Sequence, residues 1–384
     1  MVRVLYLVHN LGDAAVLRRV RMLELGGAEV QVAGFARPGA DLTALPGCIS
    51  LGTTFDARFA QRALSVLSAA TRVGSRLRAA PRPDIIIARN LEMLALAGRL
   101  RRWAPDAPLV YECLDIHRLM LRGDFAGRLL RAIERMMGRR AALLVTSSPA
   151  FRREYFDHYH QWPAPSLLLE NKILDEPGRR GSNPLLSAPA DGPLRIGWFG
   201  ALRCRRSLAE LSAFSRQMAG QVKVTLRGQP ALTEFDDFHA QVGAEPHLAY
   251  EGPYRAGDLR TIYSEVHFVW AIDYFEAGQN SDWLLPCRVY EGCFHGAIPI
   301  ALAGTETAAF LKRLGIGVVL ENTRPETLAR VLGGLSRDEM LTLARAVARV
   351  APEHFAYSAP DCRALVSRLD QLRGAGAADL LAPA

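Results

Sequence analysis

Short apolar runs alternate with amphipathic stretches along most of the chain. In the first half, the strand-like runs cover residues 2–8, 29–34, 85–88, 109–112, 142–146 and 166–169. Helical periodicity appears between them, most clearly over 15–24 and 125–139. Because such alternation places helices on both faces of a parallel sheet, the first half is predicted to be a doubly wound α/β domain.

A segment rich in Pro, Gly, Ser and Asp interrupts the pattern at 175–193, which is the composition of a linker. Alternation then resumes. Strands are predicted at 194–199, 222–227, 247–250, 268–271, 298–302 and 317–320. Helices are predicted at 207–218, 256–263, 285–294, 305–314, 325–335, 337–350 and 360–372.

The predicted organisation is therefore an N-terminal Rossmann-like domain over 1–174, the linker over 175–193 and a C-terminal Rossmann-like domain over 194–350. A last helix and tail over 351–384 can pack back on the first domain, with a frayed end from 374. Ligands of such sheets bind at the carboxyl ends of the strands. Two domains of this kind are expected to face each other across a cleft, where the active site would lie.

Composition narrows the class of protein. The 384 residues carry a net charge of +8, almost wholly from arginine, since Lys172, Lys223 and Lys312 are the lysines. Arginine binds phosphates and acidic lipid headgroups well, but no nucleic-acid motif accompanies the charge, so no nucleic-acid partner is expected. The six scattered cysteines form no CxxC pair, which argues for buried, reduced thiols rather than a zinc site.

Neither a membrane span nor a signal peptide is expected. No apolar run approaches the ~18 residues that a bilayer requires. The apolar opening over 1–9 is short, and Asn10, Asp13, Arg18 and Arg19 follow at once. The expected location is the cytoplasm, with contact at the inner membrane face left open.

The most informative segment is 288–299, RVYEGCFHGAIP. A helix bearing a glutamate, a closing glycine and a Pro-containing strand resemble the donor site of family 4-like glycosyltransferases with the GT-B fold. The resemblance implies that Glu291 accepts hydrogen bonds from the ribose hydroxyls of a nucleotide, for which a carboxylate is suited. Gly296 allows the chain to turn out of the helix. The alternative is an ordinary surface glutamate.

Other segments resemble the same family. In WFGALRCRRS over 198–207, Gly200 ends a strand, and Arg206 stands where the family usually has a phosphate-binding lysine. Ala201 occupies a place where arginine is common, so the resemblance moves that contact to Arg203. The segment YEGPY ends in Tyr254, in the loop that would lie near the base, and 169–172 resembles the family's hinge.

One departure separates this chain from the usual signature. In that signature seven residues separate a first glutamate from the second, but here the first position, eight before Glu291, holds Trp283. Local chemistry still predicts an anion site, in which Ser281 or Asp282 caps a helix that begins near 284–286 and presents its N–H groups to phosphates. Asn280 and Ser281 are candidate donor contacts, or only a turn and a cap. Arg288 would join the phosphates, or else pair with the glutamate three residues on.

The first half contributes candidates for catalysis. The segment YECLDIHR over 111–118, followed by an arginine-rich helix and by TSSPAF over 146–151, resembles glycosyltransferases of bacterial exopolysaccharide assembly of the succinoglycan type. Asp115 is the candidate general base if the reaction inverts the anomeric centre, and His117 is a candidate contact to the donor sugar or phosphate. The alternative is a capping aspartate and a hydrogen-bonded histidine.

Five polar residues follow predicted strands and are candidates for acceptor or phosphate contact. They are Asn10, Asp13, Arg18, Arg89 and Asn90.

The segment 118–140 carries seven arginines against Asp124 and Glu134, with Leu129, Leu130, Ile133, Met136 and Met137 between them. A basic amphipathic helix can lie on an anionic membrane; alternatively, its apolar stripe packs in the core.

Together these features predict transfer of a hexose from a nucleotide diphosphate sugar, UDP-linked by expectation, to a polysaccharide or lipid-linked oligosaccharide. No cofactor or obligatory metal is expected, because the chain has no DxD motif at a strand end and arginines can neutralise the leaving diphosphate. The alternatives are a sugar-nucleotide 2-epimerase of the same fold and a non-catalytic protein that binds a sugar nucleotide.

Overall fold

The computed structural model describes residues 1–39, 42–54, 76–77, 80–100, 103–163, 165–175, 180–186 and 192–374. Much of the predicted linker (176–179 and 187–191) and the tail from 375 lie outside these residues. The chain divides into two compact units, one formed by Met1–Glu170 with Tyr357–Ala384 and the other by Asn171–Ala356. None of the helices in the described part of the chain is long and apolar enough to cross a membrane.

A parallel sheet of seven strands organises the first unit, in the order β3-β2-β1-β4-β5-β6-β7. The strands are β1 (Val2–Val8), β2 (Ala28–Ala36), β3 (Ile49–Thr53), β4 (Ile85–Arg89), β5 (Leu109–Cys113), β6 (Leu143–Thr146) and β7 (Ser166–Leu168). Six of these strands confirm the prediction. The edge strand β3 was not predicted, since Leu51 is its one fully buried residue and the apolar run is too short to recognise.

Helices α1 (Ala14–Leu25), α2 (Asn90–Leu100) and α3 (Phe125–Gly138) belong to the same unit. Asp13 caps α1 by accepting from the Ala15 amide at 2.9 Å, and Asp124 caps α3 by accepting from the Gly127 amide at 3.0 Å. The unpredicted helix α2 begins directly after β4.

The second unit contains a parallel sheet of six strands in the order β11-β10-β9-β12-β13-β14, after the short strand β8 (Ile173–Leu174). The six strands are β9 (Leu194–Leu202), β10 (Val222–Pro230), β11 (Leu248–Tyr250), β12 (Phe268–Trp270), β13 (Ile298–Leu302) and β14 (Val318–Leu320). All six confirm the prediction. Trp198, Trp270, Phe214 and Phe268 are fully buried in the core of this unit, as expected for a sheet covered on both faces.

The helices of the second unit are α4 (Arg205–Gln217), α5 (Phe238–Gly243), α6 (Leu259–Ser264), α7 (Asn280–Trp283), α8 (Cys287–Phe294), α9 (Glu306–Leu314), α10 (Pro325–Leu328) and α11 (Arg337–Arg349). Within the predicted linker, Asn183 is fully buried and donates to the carbonyls of His267 and Gly296, both at 2.9 Å. The described part of that segment is therefore held on the second unit.

The chain ends with β15 (Ala356–Tyr357) and α12 (Ala359–Gln371). Helix α12 packs against α1 of the first unit, where Gly26 approaches it so closely that an added Cβ would lie 2.3 Å from the Cys362 carbonyl oxygen.

Each sheet reverses its strand order beside a central strand: between β1 and β4 in one unit, and between β9 and β12 in the other. The carboxyl ends of these strand pairs are the topological switch points at which α/β sheets bind ligands. Asn10, Asp13, Arg89 and Asn90 follow or end strands at the first switch point, and Gly200 and Arg203 lie at the second.

Candidate functional site

A salt bridge spans the switch point of the second unit. Arg203, just after β9, donates to Oδ2 of Asp273 from Nη2 at 2.9 Å and from Nε at 3.1 Å. Its guanidinium also stacks on the ring of Phe275, 4.8 Å from the centroid. Asp273 is nearly buried and Arg203 is about one-quarter exposed. The predicted phosphate ligand is therefore oriented by a carboxylate that sequence reasoning did not identify.

Arg206 lies in the first turn of α4 and more than half of its side chain is exposed. It pairs with Glu210 one turn later at 3.2 Å and stacks over Tyr274 at 4.0 Å. The helix is capped by Cys204, whose Sγ accepts from the Ser207 amide at 3.3 Å. Arg206 thus stands at the N-terminus of a helix of 13 residues, where the helix dipole favours anions.

Glu291 lies on α8 and is 4% exposed. Two tyrosine hydroxyls donate to its Oε2, that of Tyr263 at 3.2 Å and that of Tyr254 at 3.5 Å. Gly200 is beside the same group, because a Cβ built on it would lie 3.7 Å from Oη of Tyr254. The structure therefore brings together three of the predicted donor residues, Gly200, Tyr254 and Glu291.

Tyr263 was missed by sequence reasoning. It is fully buried on α6, and burial together with the charge of Glu291 raises the pKa of its hydroxyl well above the usual value. The hydroxyl therefore remains a donor to the carboxylate. His295 stacks against this ring at 6.1 Å, and burial lowers its pKa to about 4.

Arg288 lies one turn before Glu291 and is 7% exposed. Within the described part of the chain, its Nη1 atom is buried and has no hydrogen-bond partner. Its charge acts on the Tyr263 hydroxyl and lowers the pKa there against the larger effect of burial. A buried guanidinium nitrogen without a partner is costly, so this atom indicates a place for an anionic or polar ligand.

The predicted cap of this helix is wrong. Ser281 and Asp282 belong to a separate turn, α7, where Ser281 Oγ accepts from the Glu276 amide at 2.9 Å and Asp282 Oδ2 accepts from the Gly278 amide at 3.0 Å. Leu284 is extended, and Pro286 disfavours helical backbone in the residue before it. Helix α8 therefore begins at Cys287, and Pro286 supplies no side-chain cap.

Asn280 starts α7 and is buried, as is Ser281. Trp283, at the position of the family's second glutamate, ends the same turn. The stretch that departs from the family's pattern thus forms a compact helical turn whose polar side chains bond locally.

The two candidate catalytic residues are exposed and follow β5. Nδ1 of His117 accepts from the Leu119 amide at 3.3 Å and caps the short 3-10 helix Arg118–Leu121. The carbonyl of Asp115 accepts from the Cys113 thiol. The capping role considered for the aspartate therefore belongs to the histidine.

A buried charge cluster occupies the switch point of the first unit. Arg89 contacts Asp13 at 3.2 Å and the Tyr6 hydroxyl at 2.9 Å, and Arg19 donates to Glu112 at 2.7 Å. Despite burial, which opposes ionisation, Arg19 and Arg89 hold the pKa of Glu112 below its usual value. Arg89 is only 4% exposed, and its contacts in the structure are with the side chains of this cluster.

The other acceptor candidates surround this cluster. Asn10 accepts from the Gly12 amide at 3.1 Å. Asn90 has a left-handed backbone, with φ of 68°, and accepts from the Leu114 amide at 3.4 Å. Arg18 is half-buried on α1. Tyr6, Arg19 and Glu112 were missed as partners, although an arginine and a glutamate inside an apolar pattern are a signal that could have identified them.

Metal ligands do not cluster in the described residues, where no group of three His, Cys, Asp or Glu side chains is placed to hold an ion.

The architecture is that of the GT-B glycosyltransferases. Solved structures of similar fold include sucrose-phosphate synthase from Thermosynechococcus elongatus, with a TM-score of 0.70 and 14% identity over 97% of this chain and 98% of that one. Anabaena HepE in complex with UDP and glucose has a TM-score of 0.67 and 15% identity, over 96% and 99% of the two chains. These likenesses establish the fold.

Sequence comparison establishes the family. Residues 2–168 match the glycosyl transferase 4-like domain. The chain is also 52% identical over 379 residues to the succinoglycan biosynthesis protein ExoL of Rhizobium meliloti strain 1021. The match covers 97% of this chain and 94% of that protein. The protein therefore belongs to the family 4-like glycosyltransferases, as its residues 288–299 indicated.

Proposed function

We propose that this enzyme transfers a hexose from a nucleoside diphosphate sugar, UDP-linked, to a polysaccharide or lipid-linked oligosaccharide in exopolysaccharide assembly, at the cytoplasmic face of the inner membrane. The observation that carries the donor assignment is the group formed by buried Glu291 and Tyr263 with half-buried Tyr254, beside Arg288, whose Nη1 has no partner within the described residues. The name of the relative ExoL supports the pathway, and the UDP in the HepE complex supports the nucleotide.

Within this proposal each side chain has a defined task. Glu291 accepts hydrogen bonds from the ribose diol while its Oε2 is held by the two tyrosines. Arg288 and Arg203 donate to the diphosphate, and Arg206 adds positive charge at the N-terminus of α4. Asn280 and Ser281 line the donor side. Fixed cations of this kind stabilise the charge that develops on the leaving diphosphate, and they do so without a cofactor or metal.

The reaction forms a bond between an acceptor hydroxyl oxygen and the anomeric carbon, and breaks the bond from that carbon to the diphosphate. The nucleoside diphosphate leaves with the electron pair, and the acceptor proton must be removed. Asp115 is exposed after β5 and is our candidate for that base in an inverting transfer, with His117 beside it as a sugar or phosphate contact. Asn10, Asp13, Arg18, Arg89 and Asn90 are proposed to shape the acceptor side.

The donor assignment predicts the effect of one substitution. Glu291→Gln keeps the size of the side chain but removes its charge, so UDP affinity should fall by about 1–2 kcal/mol, or roughly fivefold to thirtyfold. Isothermal titration calorimetry with UDP measures this directly. Tyr263→Phe, which removes one donor to the carboxylate, should weaken UDP binding in the same direction.

The matched control is Glu265→Gln, because Glu265 is exposed on the same unit and should leave UDP affinity unchanged. Equal UDP affinity of wild type and Glu291→Gln would show that the nucleotide binds elsewhere.

Incubation with the donor alone separates transfer from the alternative chemistries. A thermal-shift panel of nucleoside diphosphates and their sugars selects the donor, because ligand binding to the folded state raises the unfolding midpoint. A transferase then releases nucleoside diphosphate efficiently only when an acceptor is added. An epimeric sugar nucleotide formed without acceptor would establish the 2-epimerase. Donor binding without any turnover, even with acceptor extracts, would establish a binding protein.

A further inference from the structure

The orientation of α3 reverses the usual rule for a helix on a globular protein. Three of its large apolar side chains are exposed: Phe125 is 72%, Leu129 47% and Met136 60% exposed. Ala132 is exposed as well. These four residues follow one another by four, three and four positions, so they form a single stripe along the helix. We name this stripe the α3 outer face.

The opposite stripe of α3 is buried and is not hydrophobic. It consists of Gly127, Arg131, Glu134 and Gly138, with the same spacing but displaced by two positions, which is about 200° around the helix. Of the five apolar residues that the sequence pattern offered, Leu129 and Met136 are exposed, whereas Leu130, Ile133 and Met137 are half-buried. None of the five is fully buried in the core.

Specific contacts hold the helix in this orientation. Glu134 accepts from the hydroxyls of Tyr111 at 2.8 Å and Tyr155 at 2.6 Å and from the Gln161 amide at 2.8 Å. Arg131 donates to the carbonyl of Arg122 at 2.9 Å. A half-turn of the helix would break these bonds and bury the polar groups without partners.

The two glycines of the buried stripe reinforce the orientation. A Cβ on Gly127 would lie 2.2 Å from the Arg122 carbonyl oxygen, and a Cβ on Gly138 would lie 2.6 Å from the Trp162 ring. No larger side chain of this helix fits in either place, so the apolar stripe must face outward.

Positive charge accompanies the α3 outer face. Arg128 and Arg139 are exposed along one flank, and Arg118, Arg122 and Arg140 are exposed near the two ends. Asp124 is the exposed acid within 118–140, and Arg122 pairs with it. The other acid, Glu134, is buried in the contacts described above.

We propose that the α3 outer face docks on an anionic lipid bilayer, with Phe125, Leu129 and Met136 entering the headgroup region and the arginines contacting lipid phosphates. The charge complementarity identifies this occupant, because apolar side chains flanked by arginines match an apolar boundary layer under anionic headgroups. The inference deepens the proposed function and rests on it in one respect only: docking would bring the enzyme to a lipid-linked acceptor.

Vesicle sedimentation of the full chain tests the docking. The wild type is expected to co-sediment with vesicles of equal phosphatidylglycerol and phosphatidylcholine, weakly with phosphatidylcholine alone, and less as salt screens the charge. Replacing the stripe by Phe125→Ser, Leu129→Ser and Met136→Ser together should lower the partition coefficient at least about tenfold. The matched control is Leu232→Ser, which removes a side chain of similar exposure in the other unit and should change nothing.

The arginines are tested separately. Arg128→Gln with Arg139→Gln should weaken binding to anionic vesicles by about fivefold for each charge removed. Arg363→Gln with Arg368→Gln makes the same change in net charge at exposed positions of α12, and binding should be affected much less. A direct readout is quenching by brominated lipid, which should be stronger for Leu129→Trp than for Leu232→Trp.

Three results would overturn the docking. They are no binding of the wild type to anionic vesicles, equal binding of wild type and the stripe variant, or a stripe variant that converts a dimer to a monomer in analytical ultracentrifugation without losing vesicle affinity. The last would assign the face to a second copy of the chain. Calorimetry with UDP on the same variants distinguishes a failure of the docking proposal from a failure of the proposed function. Lost nucleotide binding with intact vesicle binding contradicts the proposed function alone.

Discussion

Ionised side chains at the first switch point pair with one another, although Nε of Arg89 is buried without a hydrogen-bond partner among the described residues. Arg19 and Arg89 face Glu112 and Asp13, and the Tyr6 hydroxyl donates to Glu112 and accepts from Arg89. Removing one member of such a buried set costs more than the set contributes, because the opposite charge remains without compensation. The cluster therefore makes the carboxyl edge of this sheet rigid but easily destabilised by substitution.

Glu112→Gln is expected to destabilise the protein by about 3–5 kcal/mol, because it leaves two buried arginines under-compensated. The pH dependence follows from the lowered pKa of Glu112. A carboxyl with a lowered folded-state pKa stabilises above its unfolded pKa, near 4.5, and this contribution is lost as pH falls through the folded value. Urea unfolding of the wild type between pH 7 and 3 should show that acid-dependent loss, and the variant should show a smaller one, because other carboxyls such as Asp84 also have a lowered pKa.

Glu29→Gln is the matched control, because Glu29 is exposed on β2 of the same unit. A Glu112→Gln protein as stable as this control would show that the cluster contributes nothing to folding.

The sequence identified Arg89 and Asp13 by position but could not show which contacts they make. Both end up at a strand terminus, as predicted, yet Arg89 is turned into a pocket formed by Tyr6 and Glu112, which are 83 and 23 positions away along the chain. Glu291 differs from Arg89, because the motif that identifies it consists of neighbouring residues along the chain. That motif already implied a nucleotide-binding glutamate, and the structure adds the two tyrosines that hold it.

At the level of elements, the close approach of β9 and β10 explains why glycine stands at their carboxyl ends. Gly200 and Gly228 both have positive φ, 103° and 128°. A Cβ on Gly228 would lie 1.9 Å from the Gly200 carbonyl oxygen. The backbone beside Tyr254 and Glu291 can follow this path only when residue 228 has no side chain.

Gly228→Ala should therefore displace the end of β9 and weaken UDP binding by about tenfold or more, with a loss of stability of roughly 1–3 kcal/mol. Calorimetry and urea unfolding measure the two effects. The control is Gly243→Ala at the end of α5, where nothing lies within 4 Å of the added Cβ, so that stability should stay the same or rise. A UDP affinity of Gly228→Ala equal to that of the wild type would show that the close approach of β9 and β10 does not shape the donor site.

Prediction at the level of elements succeeded where the pattern is strong. Twelve strands followed from apolar runs, and the helix predicted at 285–294 is α8. The cap proposed for that helix was wrong, because Ser281 and Asp282 bond within their own turn. For α3 the sequence predicted the helix correctly but left its orientation open, since periodicity shows that a stripe exists and not which way it faces.

At the level of the whole molecule, the first compact unit is discontinuous in sequence. It begins at Met1 and is completed by α12 after the chain has passed through the second unit. Close packing of α1 and α12 at Gly26 holds this last helix in place, because both the Cys362 carbonyl and Val366 lie within 2.4 Å of where a Cβ would stand.

Gly26→Ala is expected to lower the free energy of unfolding by about 1–3 kcal/mol through overpacking, and to expose α12 to protease. Thermal unfolding and limited proteolysis with mass mapping of the C-terminus measure both. UDP affinity of the second unit should remain unchanged. Gly98→Ala in α2, where the added methyl group meets no atom within 4 Å, should instead be neutral or stabilising. Protease resistance equal to that of the wild type would argue against this role for Gly26.

The amino-acid sequence by itself determined the class of this protein. The alternation of strand and helix patterns, with one break in composition, predicts two Rossmann-like sheets. One local motif predicts a nucleotide-sugar glycosyltransferase. These signals can be recognised in the sequence because neighbouring residues carry them. Only the tertiary structure decided what depends on distant residues: that Tyr263 holds Glu291, that Asp273 orients Arg203, that Arg89 is enclosed by charges, and that α3 presents its apolar stripe outward. Burial and partner choice are properties of packing, and packing joins positions that no local pattern connects.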